Sequence, residues 1–97
     1  MVEQAQALRP TSKKDWVEFV AAKRTTRFCP DDKLPVGVSM HNEMGVMVIR
    51  VVATGKRDVI QLWGKRVPWD SITEAMAKKL ALKAYEKLVK ISAVIRM

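Results

Sequence analysis

Hydrophobic and polar positions in this chain change their spacing twice. Apolar residues recur at helical intervals after Ser12, alternate with other residues between Val36 and Trp63, and return to helical intervals from Ile72 onward. The centre of the alternating region is residues 45–53, the most β-branched run in the chain, with turn-forming residues on both sides. One alternate set there is wholly apolar: Met47, Ile49, Val51 and Ala53. The other set, Val46, Val48, Arg50 and Val52, carries a charge in its middle. That second face cannot be fully buried unless Arg50 has a partner.

The flanking segments follow from the same pattern. Ser12 is an N-cap with Asp15 as its capping-box partner, and the helix that follows puts Trp16, Phe19, Val20 and Lys23 on one face. It ends near Arg24, because Thr25 and Thr26 are β-branched and Cys29-Pro30 forbids helix. Residues 25–35 read as a loop with two prolines. Val36, Val38 and Met40 then alternate with Gly37, Ser39 and His41, a half-buried strand, and residues 42–45 turn the chain into the central strand. A second turn at residues 54–57 leads to a third strand from Asp58 to Trp63. A connector from Gly64 to Trp69 precedes a second helix, with Ser71 and Glu74 as its capping box and Asp70 at its positive end. Ile72, Met76, Leu80, Ala84, Leu88, Ile91 and Ile95 form its apolar stripe. Residues 91–97 suit either the end of that helix or a short strand. The predicted fold is therefore α+β: a small α-β-β-β-α domain, residues 11–97, with a three-stranded antiparallel meander and two helices on one face. Residues 1–10 lack periodicity and read as a flexible tail.

Composition narrows the classes of function. The 97 residues suffice for one domain, and 48% hydrophobic content excludes general disorder. No apolar run approaches the ~18 residues a membrane span needs, and no apolar signal core opens the chain. A single cysteine, Cys29, cannot form an internal disulfide and fits a reducing cytoplasm. The net charge of +8 is unevenly placed. Residues 8–27 and residues 71–97 each hold six Lys/Arg against two acids, whereas residues 28–70 hold six against five. Cationic helices point to an acidic partner: nucleic acid, an acidic protein groove, or a protein that handles DNA.

Chemistry has little to work with. His41 and Cys29 are the only residues of their kinds, so no Cys/His metal set can form, and they fall on a strand face and in a proline loop respectively. No carboxylate pair suggests acid–base work, and no glycine loop suits phosphate. The expectation is a protein with no catalytic, metal or cofactor residues. Met40, Met44 and Met47 cluster at the first hairpin; Met40 and Met47 suit the core, and Met44, at the turn, suits a contact.

The connector offers more. Trp63 and Trp69 flank Lys65, Arg66 and Pro68; Trp63 suits the edge of the core, and Trp69 an interface anchor or a staple at the helix start. A required cis form of the Val67-Pro68 bond would make maturation slow and bring in a prolyl isomerase as a partner at Pro68. The basic helix from Ala77 to Leu88 resembles the last helix of double-stranded-RNA-binding domains, which share the α-β-β-β-α order. That resemblance implies nucleic-acid binding, but Asp70 and Glu74 occupy the helix start where phosphate would sit, and Lys78 and Lys79 come about two turns later.

The loop Gly-Lys-Arg-Val-Pro-Trp-Asp-Ser at residues 64–71, the basic helix after it, and the size and charge of the chain resemble the anti-RecBCD (Abc) proteins of lambdoid phages. The resemblance runs over the whole chain and rests on no catalytic motif. It implies a phage protein in the host cytoplasm that binds the RecBCD helicase–nuclease through its RecC subunit. Such a protein alters the response to Chi to favour phage recombination, and touches DNA only indirectly. The residues expected to make the contact are Lys65, Arg66, Pro68 and Trp69 of the connector and Lys78, Lys79 and Lys83 of the helix.

Overall fold

The apolar alternate set of the central strand decides where sheet and helices meet. In the computed structural model, which describes residues 10–29, 36–54 and 58–96, the elements are α1 (Lys13–Ala21), β1 (Thr26–Phe28), β2 (Val36–Glu43), β3 (Val46–Thr54), β4 (Val59–Pro68), a 3-10 turn (Trp69–Ser71) and α2 (Glu74–Arg96). The strands form one antiparallel sheet in the order β1-β2-β3-β4, and the fold is α+β. Met47, Ile49 and Val51 of β3 lie with Val36, Val38 and Met40 of β2 and Phe28 of β1 in one core beneath the helices.

Trp16 is the centre of that core. It is fully buried, and its indole Nε1–H donates to the carbonyl of Ala81 in α2 at 2.9 Å. The facing side of α2 consists of Ala77, Ala81 and Ala84, all with no exposed surface. Small residues let α1 bring a large ring against the α2 backbone without a void. The ring planes of Trp16, Phe28 and Tyr85 stack in series, with centroids 6.4 and 6.1 Å apart.

Four expectations about the sheet and α2 are corrected. The sheet has four strands, because residues 26–28 pair with β2 in the register Thr26↔Met40 and Phe28↔Val38. Three residues are too few to display a period, which is why the sequence reads as loop there. Second, the connector is strand: β4 runs to Pro68, paired through to Val46, and Gly64, Lys65 and Arg66 belong to it. β4 is an edge strand, so a proline at its end interrupts no ladder. The Val67-Pro68 bond is trans, as are all peptide bonds among the described residues. Third, α2 is capped by Thr73, whose Oγ1 accepts from the N–H of Met76 at 3.2 Å, because Ser71 is consumed in the 3-10 turn. Fourth, the expected stripe holds at Ile72, Ala84 and Leu88, which are buried, and at Leu80 and Ile91, which pack against the core, but Met76 is exposed and the stripe gains Ala77 and Ala81. Steps of four advance about 40° beyond a full turn each, so a stripe read only by fours drifts around the helix. The side chain of Ile95 lies outside the described residues. Residues 91–96 are helix.

Of the two signals predicted at α1, the Ser12 cap forms and the reciprocal bond to Asp15 does not. Ser12 Oγ accepts from Asp15 N–H at 3.2 Å, while the Asp15 carboxylate takes the Thr11 hydroxyl at 2.9 Å rather than returning to Ser12. Pro10, assigned to the tail, is buried. The remaining tail, the two-proline loop at residues 30–35 and the turn at residues 55–57 lie outside the described residues.

The helix stops at Ala21, earlier than expected, in a Schellman motif. Lys23 N–H donates to Val20 at 2.9 Å and Arg24 N–H to Phe19 at 3.1 Å, with Lys23 at φ 56°. Glycine is the usual residue there. Lys23 is held by its other end, since its Nζ donates to the Trp69 carbonyl at 3.1 Å and lies 5.7 Å from the centre of the Trp69 ring.

Candidate interaction surface

The seven residues expected to form one contact surface are divided by the sheet. Adjacent residues of a strand point to opposite faces, so Lys65 registers with Ile49 on the helix side and Arg66 with Val48 on the other. Trp69 is half-buried against the core, its N–H donating to Gly45 at 2.8 Å and its ring under Lys23. It therefore joins the β2–β3 turn, the segment that ends α1 and the start of α2. Trp63 is also half-buried against the core, as expected.

Lys78, Lys79 and Lys83 are exposed on α2. Lys78 pairs with Glu74 one turn earlier at 3.3 Å, an ordinary exposed i,i+4 bridge. Lys79 and Lys83 face away from the buried alanines, in company with exposed Leu82 and Val89. The helix lysines thus lie on the opposite side of the sheet from Arg66.

A second cluster lies on the sheet face that no described helix covers. Its residues form transverse rows set by the register. One row runs Arg27, Ser39, Arg50 and Gly64 across β1 to β4; the next holds His41, Val48 and Arg66 across β2 to β4. Glu43 holds two of the guanidiniums: Arg50 Nη1 lies 3.0 Å from its Oε1, and Arg66 Nη1 3.5 Å from its Oε2. This answers the question raised by a charge inside an apolar strand. Arg50 stays 30% exposed and shares a carboxylate with Arg66. Arg27 is exposed and has no carboxylate partner among the described residues.

Between these side chains lies an open depression of about 290 Å³, lined by Arg27, Ser39, His41, Arg50, Val59 and Gln61. Val48, beside it, is almost completely buried although no described helix lies over it; His41 and Arg66 flank it in register, and Arg50 stands two residues along. The His41 imidazole is held below the ordinary histidine value of 6.5, first by burial and then by the Arg50 charge, with Arg27 adding a smaller push and Glu43 opposing.

Only one member of this cluster, Arg66, was singled out from sequence. Arg50 was flagged as needing a partner, which was the available signal. Arg27 carries no signal in the sequence, since the strand that aims it has only three residues. Cys29 follows β1 and is exposed, and Met44 is fully exposed at the hairpin tip. Met40 and Met47 are buried. Among the described residues no three His, Cys, Asp or Glu side chains gather as a metal site would require, and no helix is long and apolar enough to cross a membrane. No protein-family model matches the chain, and no curated protein or solved structure is significantly similar to it.

Proposed function

We propose that this protein works by occupying the surface of another macromolecule rather than by catalysis, and that the partner is the host RecBCD helicase–nuclease, engaged through RecC. On this reading it is a phage protein of the host cytoplasm that changes the enzyme's activity and Chi response in favour of phage recombination, with DNA touched only indirectly. The observation that carries the binding part is the outer side of α2, where Lys79 and Lys83 are interleaved with exposed Leu82 and Val89. Apolar groups left among cations on a surface suit a partner with acidic and apolar patches. The resemblance at residues 64–71 supplies the partner's identity.

Capture of purified RecBCD by the immobilised chain, without DNA and at moderate salt, is the expected result. No retention under those conditions overturns the partner assignment. Nucleic-acid binding is the second reading, favoured by the placement of both helices on one face of an antiparallel sheet, as in double-stranded-RNA-binding domains. A gel shift on duplex RNA or DNA that weakens steeply with salt would establish it instead.

A further inference from the structure

We propose that the open face of the sheet, around the depression between Arg27 and Arg50, is a binding site for an acidic, partly apolar peptide segment of a partner protein. The rim and the floor differ in chemistry. The rim is guanidinium, from Arg27, Arg50 and Arg66, opposed among the described residues by the single carboxylate of Glu43, so the described part of the face keeps an excess of positive charge after internal pairing. The floor is small or apolar: Ser39 between the two arginines in one row, with Val48, Val52 and Val59 around it. Guanidinium is the group best suited to grip a carboxylate by two parallel hydrogen bonds. Arg27 and Arg50 stand two strands apart, about 10 Å between their backbones, and an extended peptide presents alternate side chains on one side about 7 Å apart. Two carboxylates of such a peptide fall within reach of the two long side chains, and an apolar side chain next in line on the same side of the peptide rests on the valines.

Single-stranded nucleic acid is the weaker fit. Sheet faces that bind it stack several bases on aromatic rings, and the described Phe and Trp rings of the sheet, Phe28 and Trp63, belong to the helix-side core, which leaves His41 alone on the open face. His41 supplies an internal reporter, since it lies in the depression and its charged form is opposed by Arg50 and Arg27. A bound carboxylate offsets those charges and raises the imidazole's affinity for a proton, so binding strengthens as pH falls through the His41 titration.

The inference rests on the protein being a binder, but not on which partner it has. The test uses the full chain with a fluorescent peptide that carries two glutamates and a leucine at successive alternate positions, with serine between them, and a labelled single-stranded DNA of equal charge. Arg27→Glu is compared with Lys83→Glu, which changes net charge identically on the far side of the molecule. The expected result is that Arg27→Glu weakens the peptide by about tenfold or more and Lys83→Glu by less than about twofold. The ring protons of His41 should titrate at higher pH in the complex. Equal losses for the two variants, or a His41 titration indifferent to peptide, overturn the proposal. DNA binding that exceeds peptide binding and is lost in Arg27→Glu overturns the choice of occupant. If Arg27→Glu loses the peptide but still captures RecBCD, the site stands apart from that partner; if wild type captures no RecBCD yet binds the peptide as described, the partner assignment alone fails.

Discussion

The two faces of the sheet come from the same strands, residue by alternate residue, yet they are stabilised in different ways. On the helix side, Trp16, Met40, Ile49 and Val51 are buried to within 1% and are held by apolar packing against a wall of alanines. On the open side, cross-strand neighbours shield one another: Val48 is as buried as the core, but beneath a canopy of His41, Arg50 and Arg66. Packing of the first kind fixes the fold and leaves nothing for a partner. The second kind holds charged groups in place and leaves them reachable, so a binding function is more easily placed there.

The sharpest way to break this contrast is to truncate both sides. Trp16→Ala should cost about 3–5 kcal/mol in chemical denaturation, since it opens a cavity and removes the bond to Ala81. Arg27→Ala should leave the midpoint unchanged. A comparable loss for both would mean that the open face also carries the fold. Overpacking by Ala81→Leu, which drives a side chain into the ring of Trp16, should cost about 1–3 kcal/mol by the same assay.

Smaller effects sharpen the picture on the open side. The hairpin tip is a two-residue turn with φ 53° at Met44 and 84° at Gly45, a conformation that favours Asn-Gly. Met44→Asn should therefore raise the thermal midpoint, by roughly 2–6 °C. Glu43→Gln removes the carboxylate shared by Arg50 and Arg66. Because these groups are partly exposed the stability cost should be under about 1 kcal/mol, but the His41 titration, followed by NMR, should move still lower, since Glu43 is the one neighbour raising it.

The smallest effect is pH-dependent. The folded state holds His41 below 6.5, so the unfolded chain binds its proton more readily. The stability difference is fully present above pH 6.5 and declines as pH falls below that value toward the folded pKa. His41→Gln should remove this part of the dependence in denaturation curves taken on either side of pH 6.5.

Much of the fold could be read from residue order, and the reasons are local. Val36 to Met40 shows a clean period of two, residues 46–53 form a β-branched run long enough to be recognised as strand, and α1 carries Ser12 where its cap is found. What failed was short or depended on distant pairing. β1 has three residues and exists because Phe28 finds a place between Trp16 and Tyr85. The connector became strand because β3 is long enough to pair with it as far as Val46. The candidate surface suffered most: Lys65 and Arg66 are neighbours in sequence but lie on opposite sides of the sheet.

The order of residues alone determined that this chain builds an α+β domain with one apolar strand face and a surplus of positive charge. Those properties come from spacing and composition, which need no knowledge of what lies across the core. Tertiary structure decided which alanines of α2 meet Trp16, and which charges gather into a cluster. Arg27, Arg50 and Arg66 come from three separate strands, and only the register between strands, a property of long-range pairing, brings them to one face.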